Sequence, residues 1–177
     1  MALEAASYLF PPIRRENPSF SRLSPEAAAQ AKFDRILYFY GERQLEAEAC
    51  AALSYMKSIT VPRKHVHLTC RAGRSGFWMA WNGDLLSCGM MPEPKLDLAN
   101  RPFAEAWREL TQCSARLVLS GTCVQCPNQS LCHSCAAMAM AETGTTEGMP
   151  VYLCRMVEAL REEADRRLKD DQDVCGE

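Results

Sequence analysis

The chain has 177 residues, 47% hydrophobic and 24% charged, which is enough to bury a core and argues against wholesale disorder. Twenty Lys and Arg against 22 Asp and Glu leave a net charge of −2, which gives no footprint for nucleic acid and no polybasic membrane patch. No run approaches the roughly 18 apolar residues of a membrane span. Glu4 stands where a secretion signal would be basic, and Pro11-Pro12 end the apolar stretch.

Ten cysteines are the compositional outlier. They fall short of the density of a small disulfide scaffold. Without an export signal the expected compartment is the cytoplasm, where clustered thiols hold metal more often than they form disulfides.

Residues 1–23 read as irregular, broken by Pro11, Pro12 and Pro18, with Arg14-Arg15 as a solvated pair. Ser24-Pro25-Glu26 is a helix start: a capping hydroxyl, a proline at the first helical position and an acid in the first turn. Phe33, Ile36, Leu37 and Tyr40 follow as one apolar stripe, and Gly41 ends or kinks the helix. A second stripe, Leu45, Ala49, Ala52, Leu53 and Met56, ends before Pro62. The apolar faces of this helical pair call for a partner.

From Val61 the period changes. Residues 77–81 (FWMAW) and 84–88 (DLLSC) flank Asn82-Gly83, a strong hairpin signal that predicts a type I′ turn. Pro92 and Pro94 mark a loop, and residues 102–110 (PFAEAWREL) read as a short helix. Trp78, Trp81 and Trp107 are expected to pack, and the methionines to fill irregular gaps. Residues 120–135 hold four cysteines with almost no apolar periodicity, so metal is expected to organise them. After Met149-Pro150 a last helix turns Leu153, Met156, Val157, Leu160, Ala164 and Leu168 inward, and a charged tail follows.

Cys123, Cys126, Cys132 and Cys135 form C-x2-C-x5-C-x2-C, four thiols within 13 residues. Tight loops of this kind point thiolates at one place, and soft thiolates select zinc, copper(I) or iron–sulfur clusters. Spacing alone leaves zinc and iron–sulfur level. Cys70 and Cys88 flank the hairpin as C-x12-G-x4-C, with Gly83 as the glycine, and Cys154 lies near the start of the last helix.

At these residues the sequence resembles the SPASM domain, the auxiliary-cluster domain of radical SAM peptide and protein maturases. Cys70-Arg-Ala-Gly73, Phe77-Trp78, Cys88-Gly89-Met90-Met91, Phe103 to Trp107, Glu142-Thr-Gly144 and Tyr152-Leu-Cys154 carry the likeness over roughly residues 65–160. Cys132-x2-Cys135 departs from the family's usual three intervening residues. The resemblance implies two [4Fe–4S] clusters. Cys123, Cys126, Cys132 and Cys154 would hold one completely; Cys70, Cys88 and Cys135 would hold the other, its fourth ligand missing from the pattern. Cys50 and Cys113 are the main candidates for that ligand, with Cys175 behind them. His65 and His67 share a face of an extended segment, and His133 sits between two candidate ligands.

None of the ten cysteines forms the C-x3-C-x2-C triad that binds the S-adenosylmethionine cluster, so the chain cannot cleave SAM by itself. Residues 7–15 and the Ser24-Pro25-Glu26 helix resemble the last segments of the radical SAM partial barrel. The expected fold is α+β: residues 1–62 a helical remnant of that barrel, 63–170 a SPASM-like domain of hairpin and helices around clusters, and 171–177 a frayed tail. The implied function is electron relay or substrate engagement in a peptide-modifying system, with a separate radical SAM chain and a peptide substrate as partners. One alternative is a zinc-stapled, non-enzymatic interaction domain closed by Cys123, Cys126, Cys132 and Cys135; another is a truncated, inactive radical SAM protein.

Overall fold

The computed structural model describes residues 9, 11, 20–57, 68, 70–132 and 134–168. In chain order its elements are α1 (Pro25–Tyr40), α2 (Glu42–Lys57), β1 (Trp78–Met79), β2 (Asp84–Leu86), β3 (Lys95–Asp97), α3 (Phe103–Ala115), α4 (Gly121–Val124), α5 (Gln129–Cys132), α6 (Ala136–Thr143) and α7 (Val151–Leu168). The class is α+β, with the three strands in one antiparallel sheet ordered β1-β2-β3. No described helix is long and apolar enough to cross a membrane.

α1 begins where the sequence predicts. Ser24 is the N-cap, its Oγ accepting the Ala27 N–H at 3.2 Å, and Pro25 and Glu26 occupy the first turn. Gly41 closes the helix at φ 81°, its N–H bonded to the Leu37 carbonyl. A Cβ there would meet nothing within 4 Å, so the backbone conformation, not packing, calls for glycine.

The apolar faces of α1 and α2 find their partner within the chain. Ala28, Ala29, Phe33 and Ile36 of α1 and Ala49 and Ala52 of α2 share one core with Met156, Ala159, Leu160 and Ala164 of α7. Burial of each large side chain here contributes roughly 1.5–3 kcal/mol. The segment expected as 1–62 therefore meets the domain expected as 63–170 in a common core, and its packing partners in that core are helices. An Arg167–Asp34 ion pair adds a polar link between α7 and α1. The inward positions expected on the last helix are all found inside: Leu153, Met156, Val157, Leu160 and Ala164 are buried and Leu168 packs against the core.

A second fastening ties the segment before α1 to α6 and α7. Arg22 grips Glu142 through two bonds of 2.6 and 2.8 Å, with its guanidinium 3.5 Å from the centre of the Tyr152 ring. The Tyr152 hydroxyl in turn donates to the Leu23 carbonyl at 2.8 Å.

The hairpin forms at the expected place with a different turn. Trp78 pairs with Leu86 and Met79 with Leu85. The Ala80 carbonyl accepts the Gly83 N–H at 3.0 Å, while the Ala80 N–H reaches the Asp84 carbonyl at 2.9 Å. The turn therefore spans Ala80 to Gly83 with Trp81 and Asn82 at its centre, in place of the type I′ turn centred on Asn82-Gly83. Gly83 sits at φ 88°, as a three-residue hairpin loop requires of its last residue.

This shift corrects the reading of the tryptophans. Trp81 belongs to the turn and is 98% exposed, and Trp78 is about half exposed, its indole over the backbone of Gly89. Trp107 does pack, stacked with Phe103 and edge-on to Phe77. β3 is a further correction: it pairs with β2 through Leu85↔Leu96 in a stretch read as loop from Pro92 and Pro94. α3 runs on to Ala115, past the expected end at Leu110, and its Ala106 and Leu110 cover Leu85 on one face of the sheet.

A third apolar cluster joins Leu68, Met91, Leu119, Cys135, Ala136, Ala137 and Ala139. It packs α6 against the loop after the hairpin, and it borders both groups of cysteines.

Candidate functional site

The cysteine-rich stretch is held by short local structure as well as by its neighbours. Cys123 lies in α4, whose N-cap Ser120 accepts the Thr122 N–H at 3.3 Å. The Cys126 N–H bonds the Cys123 carbonyl at 3.3 Å. Cys132 ends α5, its N–H on the Asn128 carbonyl at 2.9 Å, and Leu131 packs against the three-helix core. Cys154 stands in the first turn of α7, its N–H bonded to the Pro150 carbonyl.

Cys123, Cys126, Cys132 and Cys154 all line one cavity of about 290 Å³. Leu119, Pro150 and Val157 supply its apolar wall, and Asn128 and Ser134 reach it as well. The electrostatics group the same four thiols. Burial pushes the Cys132 thiol up to about 11; the Ser134 backbone N–H opposes that rise, and Cys154, Cys126 and Cys123 add to it. Burial raises Cys123 too, followed by Cys154 and Cys126. Cys154 is raised by burial, then by Cys126 and by Glu158 one turn along α7.

The other three predicted residues gather around the hairpin. Burial raises the Cys88 thiol, the Met90 N–H opposes the rise, and Cys135 and Cys70 add to it. The Cys88 Sγ accepts that N–H at 3.5 Å, and the Cys70 Sγ accepts the Ala72 N–H at 3.4 Å. The amide donor two residues beyond Cys88 favours its thiolate form, the form that binds metal. Cys135 is the N-cap of α6, which sets its sulfur at the positive end of the helix.

The Cys70 loop is seated by contact with α3. Gly73 has φ 67°, and its N–H bonds the Gly76 carbonyl at 2.8 Å. Ser114 and Ser87 join their buried hydroxyls at 2.5 Å beside it.

Cys135 thus leaves its sequence neighbours and stands with Cys88 and Cys70, while Cys154 takes the place beside Cys123, Cys126 and Cys132. Cys123 also borders the apolar cluster around Cys135, so the two groups share a wall. A closed set of Cys123, Cys126, Cys132 and Cys135 is not the set that lines the cavity. Among the described residues, no group of three or more His, Cys, Asp or Glu forms a site for a single metal ion.

The candidates for a fourth ligand of the hairpin group fare differently. Cys50 is disulfide-bonded and has no free thiol to offer. Cys113 carries a free, half-buried thiol on α3. His65, His67, His133 and Cys175 lie outside the described residues, as do Arg14-Arg15.

Sequence reasoning missed Asn128 and Ser134, whose signal was only their position inside the cysteine loop. Burial and neighbouring thiols both oppose ionisation of Cys88, Cys123, Cys132 and Cys154, so their thiolates would form together only beside a strong positive charge. Comparison with family models, with curated proteins and with solved structures gives no match.

Proposed function

We propose that the chain is an auxiliary iron–sulfur module that binds two [4Fe–4S] clusters, the first on Cys123, Cys126, Cys132 and Cys154 and the second on Cys70, Cys88 and Cys135. The observation that carries this reading is the sorting of seven cysteines into these two groups, with Cys135 and Cys154 exchanged relative to their order in the chain. The shared cavity of the first four and the amide donors to Cys70, Cys88 and Cys132 support it further.

Such clusters supply one-electron chemistry at potentials set by burial and by hydrogen bonds to sulfur. The chain's own part is to hold the thiolates, exclude water with Leu119, Pro150 and Val157, and fix the spacing between the groups through the apolar cluster around Cys135 and Ala136. The second group has three protein ligands, which leaves one iron position for a further ligand or a substrate group. Within the SPASM likeness, the role is electron relay or substrate engagement beside a separate radical SAM chain acting on a peptide in the cytoplasm. The helical pair before residue 62 is then the end of the barrel that such a chain would complete.

Anaerobic reconstitution followed by iron, sulfide and zinc analysis tests the proposal. About eight irons with matching sulfide per chain, and a broad absorption band in the visible, are the expected result. One zinc per chain without sulfide would replace the proposal with a zinc-stapled binding module.

A further inference from the structure

Two polar side chains in the wall of the first cavity have no partner. Ser134 is only 5% exposed, and its Oγ, wholly shielded from solvent, makes no hydrogen bond. The Oδ1 of Asn128 is likewise buried and unpartnered. Both residues line the cavity that Cys123, Cys126, Cys132 and Cys154 enclose.

Neither group is there for local structure. The Asn128 carbonyl accepts the Leu131 and Cys132 N–H groups at 3.1 and 2.9 Å, so the residue occupies the start of α5. Its side chain would ordinarily accept from the first turn in that position, and it does not. Ser134 already uses its backbone N–H on Cys132, which leaves the hydroxyl over. A buried hydroxyl and a buried amide are costly to leave unsatisfied, and they persist where a partner fills the space between them. Serine offers an O–H donor, and a half-turn of the Asn128 amide presents its N–H2 to the same space.

We infer that Ser134 and Asn128 are hydrogen-bond donors to the sulfur-rich group held in this cavity and set its reduction potential without ligating it. The inference rests on the cluster assignment proposed above. Hydrogen bonds to sulfur spread the extra negative charge of the reduced state and so favour reduction. Removing one favours the oxidised form.

The test is an anaerobic redox titration of the reconstituted full chain, followed by electron paramagnetic resonance, for wild type, Ser134→Ala, Ser134→Thr and Asn128→Leu. Ser134→Ala is expected to keep its iron and its far-ultraviolet circular dichroism. At the wild-type midpoint of one cluster, the ratio of oxidised to reduced form should rise about tenfold, which is 59 mV for a one-electron couple. The second cluster should not move and serves as the internal reference. Ser134→Thr should return the wild-type potential, and Asn128→Leu should shift the same cluster in the same direction as Ser134→Ala. Full iron with both potentials unmoved overturns the inference and leaves the cluster assignment standing. Loss of iron in Ser134→Ala also overturns it, because the hydroxyl then holds the site together instead of tuning it. A wild-type chain that takes zinc and no sulfide overturns the assignment, and this inference with it.

Discussion

A Cβ on Gly73 would lie 2.3 Å from the Oγ of Ser114, inside the distance at which any side chain can be accommodated without movement. Ser114 is itself pinned, by the Ser87 hydroxyl at 2.5 Å and the Leu110 carbonyl at 2.6 Å. The glycine's positive φ adds backbone strain for any other residue. The contact seats the Cys70 loop against both the hairpin and α3.

Gly73→Ala should therefore lower stability by about 2–4 kcal/mol, combining a strained φ with an overpacked contact. Its metal phenotype should be selective. Iron analysis of the purified variant should find the Cys70, Cys88 and Cys135 group depleted, with about half the wild-type iron retained at the other group. An equal loss from both groups would mean that the loop does not seat one group alone.

Arg22 makes a long-range polar connection from the chain before α1 to α6 and α7. Its side chain is 18% exposed and that of Glu142 is 6% exposed, so the pair is little screened. Arg22→Ala should cost about 2–4 kcal/mol in urea unfolding. Arg22→Lys should recover less than half of that, because an ammonium restores neither the two-bond fork nor the planar stack on Tyr152. Equal stability of the Lys variant and wild type would contradict this.

The raised thiol of Cys132 makes the metal-free chain alkali-sensitive. The folded chain keeps that proton up to about pH 11, while the ordinary value is 9.0. The folded state thus holds more protons between those values, so the stabilisation is present below pH 9 and lost as pH rises towards 11. Its slope approaches about 1.4 kcal/mol per pH unit. Denaturation of chelator-treated protein at pH 8 to 11 should show the decline. The loaded protein should lack it, because its ligand thiols are already deprotonated, and loading itself should release protons and strengthen as pH rises.

Trp81→Ser should change stability by less than about 0.5 kcal/mol, since the indole is 98% exposed in the turn. A loss above 2 kcal/mol in thermal or urea unfolding would show that the side chain packs in solution.

The parts of the fold legible in the sequence are those written in local signals. Ser24-Pro25 fixed the start of α1, Gly41 its end, and the stripe from Leu153 to Leu168 the inward face of α7. The nearness of Cys135 to Cys88 and Cys70, and of Cys154 to Cys123 and Cys126, had no local signal and was suggested only by resemblance to a known cysteine pattern. β3 was hidden because Lys95-Leu96-Asp97 is short and polar and becomes a strand by pairing with β2. α6 was hidden for the opposite reason: Ala136, Ala137, Ala139 and Ala141 are buried on several sides, so no stripe marks a face. The cover that α7 provides for α1 and α2 joins segments far apart in the chain, which no local period can show.

The most direct measurement is iron and sulfide per chain in Cys154→Ala beside wild type, after identical anaerobic reconstitution. The two-group arrangement predicts a fall from about eight irons to about four, with the signal of the Cys70, Cys88 and Cys135 cluster retained. Unchanged metal in Cys154→Ala would contradict it, because the cavity ligands would then be complete without α7.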